Sequence, residues 1–178
     1  DGTNCRPYVE TDAANPQSVY GRTKLAGEQA VLENASAAVI IRTAWLYSEF
    51  GNNFVKTMRR LGAEKAQLNV VFDQVGTPTY AADLAAAVVH ILPRLRPGMK
   101  EIFHFSNEGV CSWYDFAVEI MKLSGFDCRI NPIESKDYPT PARRPFYSVL
   151  NKTKIKQTFN IEINHWKESL QSCLKHLS

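Results

Sequence analysis

An α/β fold with parallel strands is what this sequence predicts, and three observations carry that reading. Residues 37–45, AAVIIRTAW, form a continuous apolar run rich in β-branched side chains, the pattern of a strand buried on both faces of a parallel sheet. Directly before it lies NPQSVYGRTKLAGEQAVLEN, residues 15–34, with helical periodicity. The helix-then-strand order then recurs, at 52–65 followed by 68–72, at 79–92 followed by 101–105, and in the helix between Ser112 and Gly125 followed by 129–133. With 178 residues, 44% of them apolar, the chain can bury a core of ordinary domain size.

The elements follow in order. Residues 1–14 are turn-rich and read as a loop entering the first helix. Asn15 is expected as the N-cap of that helix and Pro16 as its first residue, because the fixed φ of proline suits that position. Tyr20, Lys24, Gly27 and Val31 then share an inward stripe flanked by Thr23, Ala26 and Ala30, while Arg22, Gln29 and Glu33 face away. Gly21 and Gly27 each cost roughly 1 kcal/mol against alanine in a helix, which implies close packing against the backbone at both. The helix at 52–65 places Phe54, Val55, Met58 and Leu61 on one side. DQVGTP, residues 73–78, is a turn that explains Gly76 and Pro78, with Thr79 expected as the N-cap of a helix to about Leu92 and Asp83 near its positive end. Pro93, Pro97 and Gly98 end that helix. Ser112 and Asp115 have capping-box spacing before a helix that Gly125 terminates. Residues 129–133 form a strand, 134–147 run extended around Pro139, Pro141 and Pro145, and short helices near 151–158 and 165–177 finish the chain.

Charge and cysteine usage exclude several functions. The net charge is +3, and Arg59–Arg60, Arg94/Arg96, Arg143–Arg144 and Lys152/Lys154/Lys156 are spread without an aromatic platform, which argues against nucleic-acid binding. The three lysines, two residues apart, diverge around a helix and read as a solvated surface. Cys5, Cys111, Cys128 and Cys173 show no C-x-x-C, and His90, His104, His165 and His176 no metal spacing, so reduced thiols and no metal site are expected. No apolar run approaches the ~20 residues of a membrane span, and no leader pattern opens the chain. The first residue is Asp1, which suggests a fragment or a processed chain.

The chemistry concentrates on Tyr20 and Lys24. One helical turn apart, their Cβ atoms are about 5–6 Å from each other. A neighbouring ammonium lowers the phenol's ordinary pKa of about 10 and lets it exchange a proton near neutrality. Tyr-x-x-x-Lys alone is a weak pattern, since both residue types often sit half-buried with wet tips. Of the seven tyrosines, however, only Tyr20 has a lysine four residues on. Trp45, at a strand's C-terminal end, either lines a ligand crevice or packs in the core. Arg143 and Arg144 either grip a diphosphate bidentately or remain solvated. Arg42 reads as a structural ion-pair residue, and Gln74 and Thr79 as ligand contacts.

Asp1-Gly2, Pro7-Tyr8, Glu10, Asp12, Tyr20-Gly21-Arg22-Thr23-Lys24-Leu25-Ala26-Gly27-Glu28, Arg42-Thr43-Ala44-Trp45-Leu46-Tyr47, Asn53-Phe54-Val55, Asp73-Gln74-Val75-Gly76-Thr77-Pro78-Thr79, Arg143-Arg144-Pro145 and Ser148-Val149-Leu150 resemble the extended short-chain dehydrogenase/reductases. Within them the similarity is to the dTDP-4-dehydrorhamnose reductase family, and it runs through nearly the whole chain in order. The resemblance implies the C-terminal portion of a Rossmann-type, NAD(P)-binding parallel sheet plus a small α/β substrate-binding domain, divided as 1–47 with 79–107 and 48–78 with 108–178. It implies reduction of a 4-keto nucleotide sugar by NADPH or NADH in the making of dTDP-L-rhamnose for cell-wall polysaccharide, by a cytoplasmic homo-oligomer. Tyr20 and Lys24 would be catalytic and cofactor-binding, with Trp45, Asn53, Gln74, Arg143 and Arg144 on the substrate.

The family's glycine-rich loop and catalytic Ser/Thr lie upstream of Asp1, and the chain contains no G-x-G-x-x-G. Inactivity alone, an open strand edge at 39–43 that recruits another chain, and poor order in 1–14 for want of packing partners are therefore expected. A non-catalytic regulatory subunit of the same fold, like the β subunit of methionine adenosyltransferase, competes with the reductase reading. A nucleotide-sugar epimerase or dehydratase fits the Asp-Gln-x-Gly-x-Pro-Thr stretch less well.

Overall fold

The computed structural model describes residues 1–140 and 144–177. In chain order its main elements are α1 (Val19–Asn34), β1 (Ala38–Arg42), β2 (Leu46–Tyr47), α2 (Phe54–Glu64), β3 (Gln67–Val71), β4 (Val75–Gly76), β5 (Thr79–Tyr80), α3 (Ala81–Ile91), β6 (Lys100–His104), β7 (Cys111–Ser112), α4 (Trp113–Ser124), β8 (Arg129–Ile133), α5 (Thr153–Phe159) and α6 (Trp166–Lys175). This is the expected α/β alternation. β1 runs parallel to β6, from Ala38 opposite Lys100 to Arg42 opposite His104, and β3 runs parallel to β8. The two-residue pairs β2–β5, parallel, and β4–β7, antiparallel, join the segments between them. Among the described residues β1 has β6 as its one strand neighbour, so its other edge is open as the sequence predicts. No helix among them is long and apolar enough to cross a membrane.

Two apolar clusters organise the chain. One gathers Val55 and Met58 of α2, Val70 of β3, Phe116, Ala117, Ile120 and Met121 of α4, Ile130 of β8, and Trp166, Leu170 and Cys173 of α6. The other joins Ala87 and Ile91 of α3 and Phe103 of β6 to Ile155 and Phe159 of α5, with Val39 and Ile41 of β1 packed against it. Two local signals act as read: Ser112 and Asp115 complete a capping box on α4, and Gly125 ends α4 at φ 70°; Asn53, expected on the substrate, instead caps α2.

Other expectations are corrected. Ser18 caps α1 in place of Asn15: its hydroxyl accepts the Gly21 N–H at 3.0 Å, and Pro16 lies outside the helix with its ring against Gly21. Thr79 does not cap α3, because it is fully buried and donates to the Ala44 carbonyl at 2.7 Å, and Tyr80 occupies the cap position without a side-chain bond. Residues 1–14 are not without partners. Tyr8 exchanges backbone hydrogen bonds with Val149 and Asn151 at 2.9 and 2.8 Å, and the Glu10 carboxylate accepts the His104 N–H at 2.9 Å.

The three lysines are not a solvated surface. Lys152 precedes α5, is 8% exposed and reaches the Asn107 carbonyl and Glu108; Lys156 also pairs with Glu108, and Lys154 with Glu101 of β6 at 2.6 Å. Beside them Asn107, fully buried, accepts the Tyr80 N–H at 2.8 Å and donates to Asp83 and to Ser169, satisfying polar groups of β5, α3 and α6 at one point.

Candidate active site

α1 contains no fully buried residue, and the face it turns inward is half-buried Leu25, Glu28 and Leu32. Glu28 ties that face to β1 by accepting two-pronged hydrogen bonds from Arg42, at 3.0 Å to Nε and 2.7 Å to Nη2, which is the structural ion pair expected of Arg42. The stripe expected to be inward instead lines an open cleft of about 840 Å³ between α1, the end of β1 and the 145–150 segment. Tyr20 is 72% exposed to it, and Lys24 Nζ lies 5.7 Å from the centroid of the Tyr20 ring. Close packing explains Gly21, where a Cβ would stand 2.8 Å from Pro16 Cβ, but not Gly27, which has nothing within 4 Å and borders the cleft.

His104 also lines this cleft and was not singled out as a site residue from sequence. The available signal is its place at the C-terminal end of a parallel strand, where ligands of such sheets gather. It stands in register with Arg42, shares a 3.1 Å hydrogen bond from Nδ1 to the Tyr8 carbonyl, and leaves Nε2 buried without a partner among the described residues. Burial lowers its pKa from the ordinary histidine value, against the opposing pull of the Glu10 carboxylate and the Tyr8 carbonyl. A histidine with a depressed folded-state pKa contributes stability that is fully present above its unfolded value of about 6.5 and is lost as pH falls from there toward the folded value. Urea unfolding between pH 8 and pH 5 should show that loss in the native chain and a flatter profile in His104→Gln. An equally steep variant would assign the slope to other groups.

A second cavity, of about 600 Å³, begins one residue further along: Ala44 borders the cleft and Trp45 the cavity. Trp45 adopts the left-handed conformation, φ 50°, uncommon for a bulky residue and often found at ligand sites. Its ring stacks on Trp113 with centroids 3.6 Å apart, and Phe54 tilts against Trp113 at 4.6 Å. The turn does not suffice to explain Gly76, because a Cβ there would approach the Trp45 ring to 2.8 Å. Gln74 and Arg144 line the same cavity.

Of the expected substrate residues, Trp45, Gln74 and Arg144 are thus brought together. Asn53 is not among the lining residues: its side-chain oxygen accepts the Lys56 N–H at 3.2 Å and its nitrogen donates to the Ser48 carbonyl at 2.7 Å. Thr79 lies beneath the strand end, bonded to Thr43 and Ala44. Arg143 lies outside the described residues. Trp113 was missed because no local pattern distinguishes it from a core residue at the start of a capped helix.

The family described as the RmlD substrate binding domain matches residues 1–178. The spore coat polysaccharide biosynthesis protein SpsK of Bacillus subtilis is 40% identical over 178 residues, which is 100% of this chain and 61% of that protein. A solved dTDP-4-dehydrorhamnose reductase from Clostridium acetobutylicum superposes with a TM-score of 0.93 at 45% identity, covering 99% of this chain and 62% of that one. The Bacillus anthracis dTDP-4-dehydrorhamnose reductase, solved in complex with NADP, gives a TM-score of 0.93 at 35% identity over 98% of this chain and 61% of its own. The chain therefore spans about three fifths of the relatives it matches, and with the family pattern running from its first residue to its last, it belongs to the RmlD substrate-binding domain family.

Proposed function

We propose that this chain carries the catalytic helix and the substrate cavity of an NAD(P)H-dependent dTDP-4-dehydrorhamnose reductase, which converts dTDP-4-dehydro-L-rhamnose to dTDP-L-rhamnose as a cytoplasmic homo-oligomer. The observation that carries this reading is that consecutive residues, Ala44 and Trp45, border the Tyr20–Lys24 cleft and the Trp45–Gln74–Arg144 cavity respectively. The likeness to relatives that bear that name, one of them holding NADP, supports it.

The cleft suits the nicotinamide end of the cofactor: Tyr20 and Lys24 present a hydroxyl and an ammonium on an exposed helical face, and the space beside Gly27 is open. When bound, NAD(P)H supplies the hydride for C4 of the sugar. The Tyr20 hydroxyl gives its proton to the C4 oxygen, and Lys24, one turn away, holds ribose hydroxyls while its charge offsets the negative charge left on the phenol oxygen. Trp45 backs the sugar ring, and the Arg144 guanidinium takes the diphosphate with charge-assisted hydrogen bonds. In this reading residues 1–47 and 79–107 form the remainder of the dinucleotide-binding domain and 48–78 with 108–178 the substrate domain, except that α5 packs on the former.

Arg144→Ala should weaken dTDP binding by about 1.5–3 kcal/mol, the worth of a hydrogen bond to a charged group. Calorimetric titration decides it, and unchanged affinity would remove Arg144 from the substrate site.

A further inference from the structure

The Arg42–Glu28 pair does more than join β1 to α1. Tyr20, Lys24 and Glu28 follow one another at intervals of four residues on α1, and all three line the cleft. Lys24 therefore has a phenol one turn toward the N-terminus of the helix and a carboxylate one turn toward its C-terminus, each about 5–6 Å away between Cβ atoms. A lysine and a glutamate at that spacing attract one another. Here they do not pair: Lys24 forms no ion pair among the described residues, and its Nζ lies 5.7 Å from the centroid of the Tyr20 ring. Both Glu28 oxygens are occupied instead. Arg42 Nε donates to Oε1 at 3.0 Å and Nη2 to Oε2 at 2.7 Å, a planar fork matched to a carboxylate whose side chain is only 17% exposed. Among the described residues the other two carboxylates on the cleft wall are also engaged, Asp12 by Arg6 at 2.7 Å and Asp1 by the Tyr8 hydroxyl at 3.0 Å. His104 and Tyr147, on the same wall, have their charged forms disfavoured by burial. The Lys24 ammonium is thus left to the cleft.

We propose that Arg42 is a positioning residue for the reduction: by holding both oxygens of Glu28 it keeps that carboxylate from drawing Lys24 away from Tyr20 and from the cofactor's ribose. The inference rests on the reductase reading above and concerns how the chain sets its own lysine. Without the guanidinium, Glu28 is a half-buried carboxylate lacking its partner, and such a charge takes a cation within reach. Lys24, one turn away on the same wall of the cleft, is placed to be that cation. Its ammonium cannot serve both neighbours, because Tyr20 and Glu28 lie in opposite directions along α1. Capture by Glu28 also sets a negative charge beside the group that has to offset the phenolate when Tyr20 gives up its proton. A lysine in place of Arg42 serves less well, since a point charge fills one oxygen and leaves the other free.

The test compares Arg42→Met, Arg42→Lys, Glu28→Gln and the double variant Arg42→Met with Glu28→Gln in two readouts. In this chain, nuclear Overhauser contacts between the Lys24 Hε protons and the Tyr20 ring should be present in the native form, lost in Arg42→Met and restored in the double variant. In a reductase of full family length, Arg42→Met should lower kcat/KM for the nicotinamide cofactor about ten- to a hundredfold, at or below the lower end of what a lost proton donor costs. Arg42→Lys should lose less, and the double variant should recover most of the loss. A pair that only anchors the helix predicts otherwise: both single variants break it equally, and the double variant cannot mend it. Glu28→Gln as damaging as Arg42→Met, or a double variant no better than Arg42→Met, therefore overturns the inference. So does loss of the Lys24–Tyr20 contact with kcat/KM unchanged. If Arg42→Met does not fold, Arg42→Lys with and without Glu28→Gln gives the same comparison, and a native Lys24 lacking the Tyr20 contact overturns the inference with no variant at all. Absence of reductase activity in the native full-length protein overturns the reductase reading and this inference together.

Discussion

Tyr20→Phe should lower kcat by roughly 10²–10⁴, about 3–5 kcal/mol of barrier, when this chain is assayed within a reductase of full family length. The size follows from what is removed. The variant loses one oxygen, the proton donor to the C4 oxygen, and keeps the ring and its place on α1. The fold should not respond, because Tyr20 is 72% exposed and its hydroxyl bonds to no described residue. KM for the sugar nucleotide should change far less than kcat, since the lost interaction matures only as charge develops on the substrate oxygen. Steady-state kinetics with a thermal melt of each protein separates the cases: near-native turnover with an unchanged melt would remove Tyr20 from the chemistry and favour a non-catalytic role for the whole site.

What the sequence made legible was mostly local. The capping box at Ser112 and Asp115, the glycine stop at Gly125 and the strand at Arg129–Ile133 are written within a few consecutive residues and fold as read. The Tyr20–Lys24 pair is equally local, one turn of one helix. Errors arose where two local signals compete or where a distant segment decides. Asn15 and Ser18 are both good caps by composition, and Ser18 takes the role in a turn where the Pro16 ring packs on Gly21. Thr79 reads as a cap until the end of β1 supplies the Ala44 carbonyl for its hydroxyl. The spacing of Lys152, Lys154 and Lys156 says nothing of Glu101 and Glu108, which lie on β6 and the loop after it.

The site divides along the same line. Trp45 and Gln74 were found through the pattern around them, whereas Trp113 and His104 come from other elements and join the cavity and the cleft only through tertiary packing. The Gln74 amide is in turn held by a residue 61 positions away, its nitrogen donating to Ser135 Oγ at 2.9 Å.

The largest expected loss of stability is at Phe116. Its ring is fully buried at the meeting point of three segments, with centroids 5.5 Å from Tyr47, 5.7 Å from Phe54 and 5.7 Å edge-on from Trp166. Phe116→Ala should therefore cost about 3–5 kcal/mol, the transfer free energy of the ring plus the cavity it leaves. Phe116→Leu, which keeps most of the volume, should cost clearly less. The same ring lies 6.5 Å from Trp113, and Trp113 stacks on Trp45, so the loss should reach the cavity as well. In the alanine variant, dTDP affinity should fall even under conditions where the chain is still fully folded, because the stacked indoles lose their backing. Urea unfolding measures the first effect and calorimetry the second. A cost below about 1 kcal/mol would mean that the surrounding aromatics close over the gap. Full stability loss with unchanged dTDP affinity would mean that Trp113 is held by Phe54 at 4.6 Å and not from beneath by Phe116.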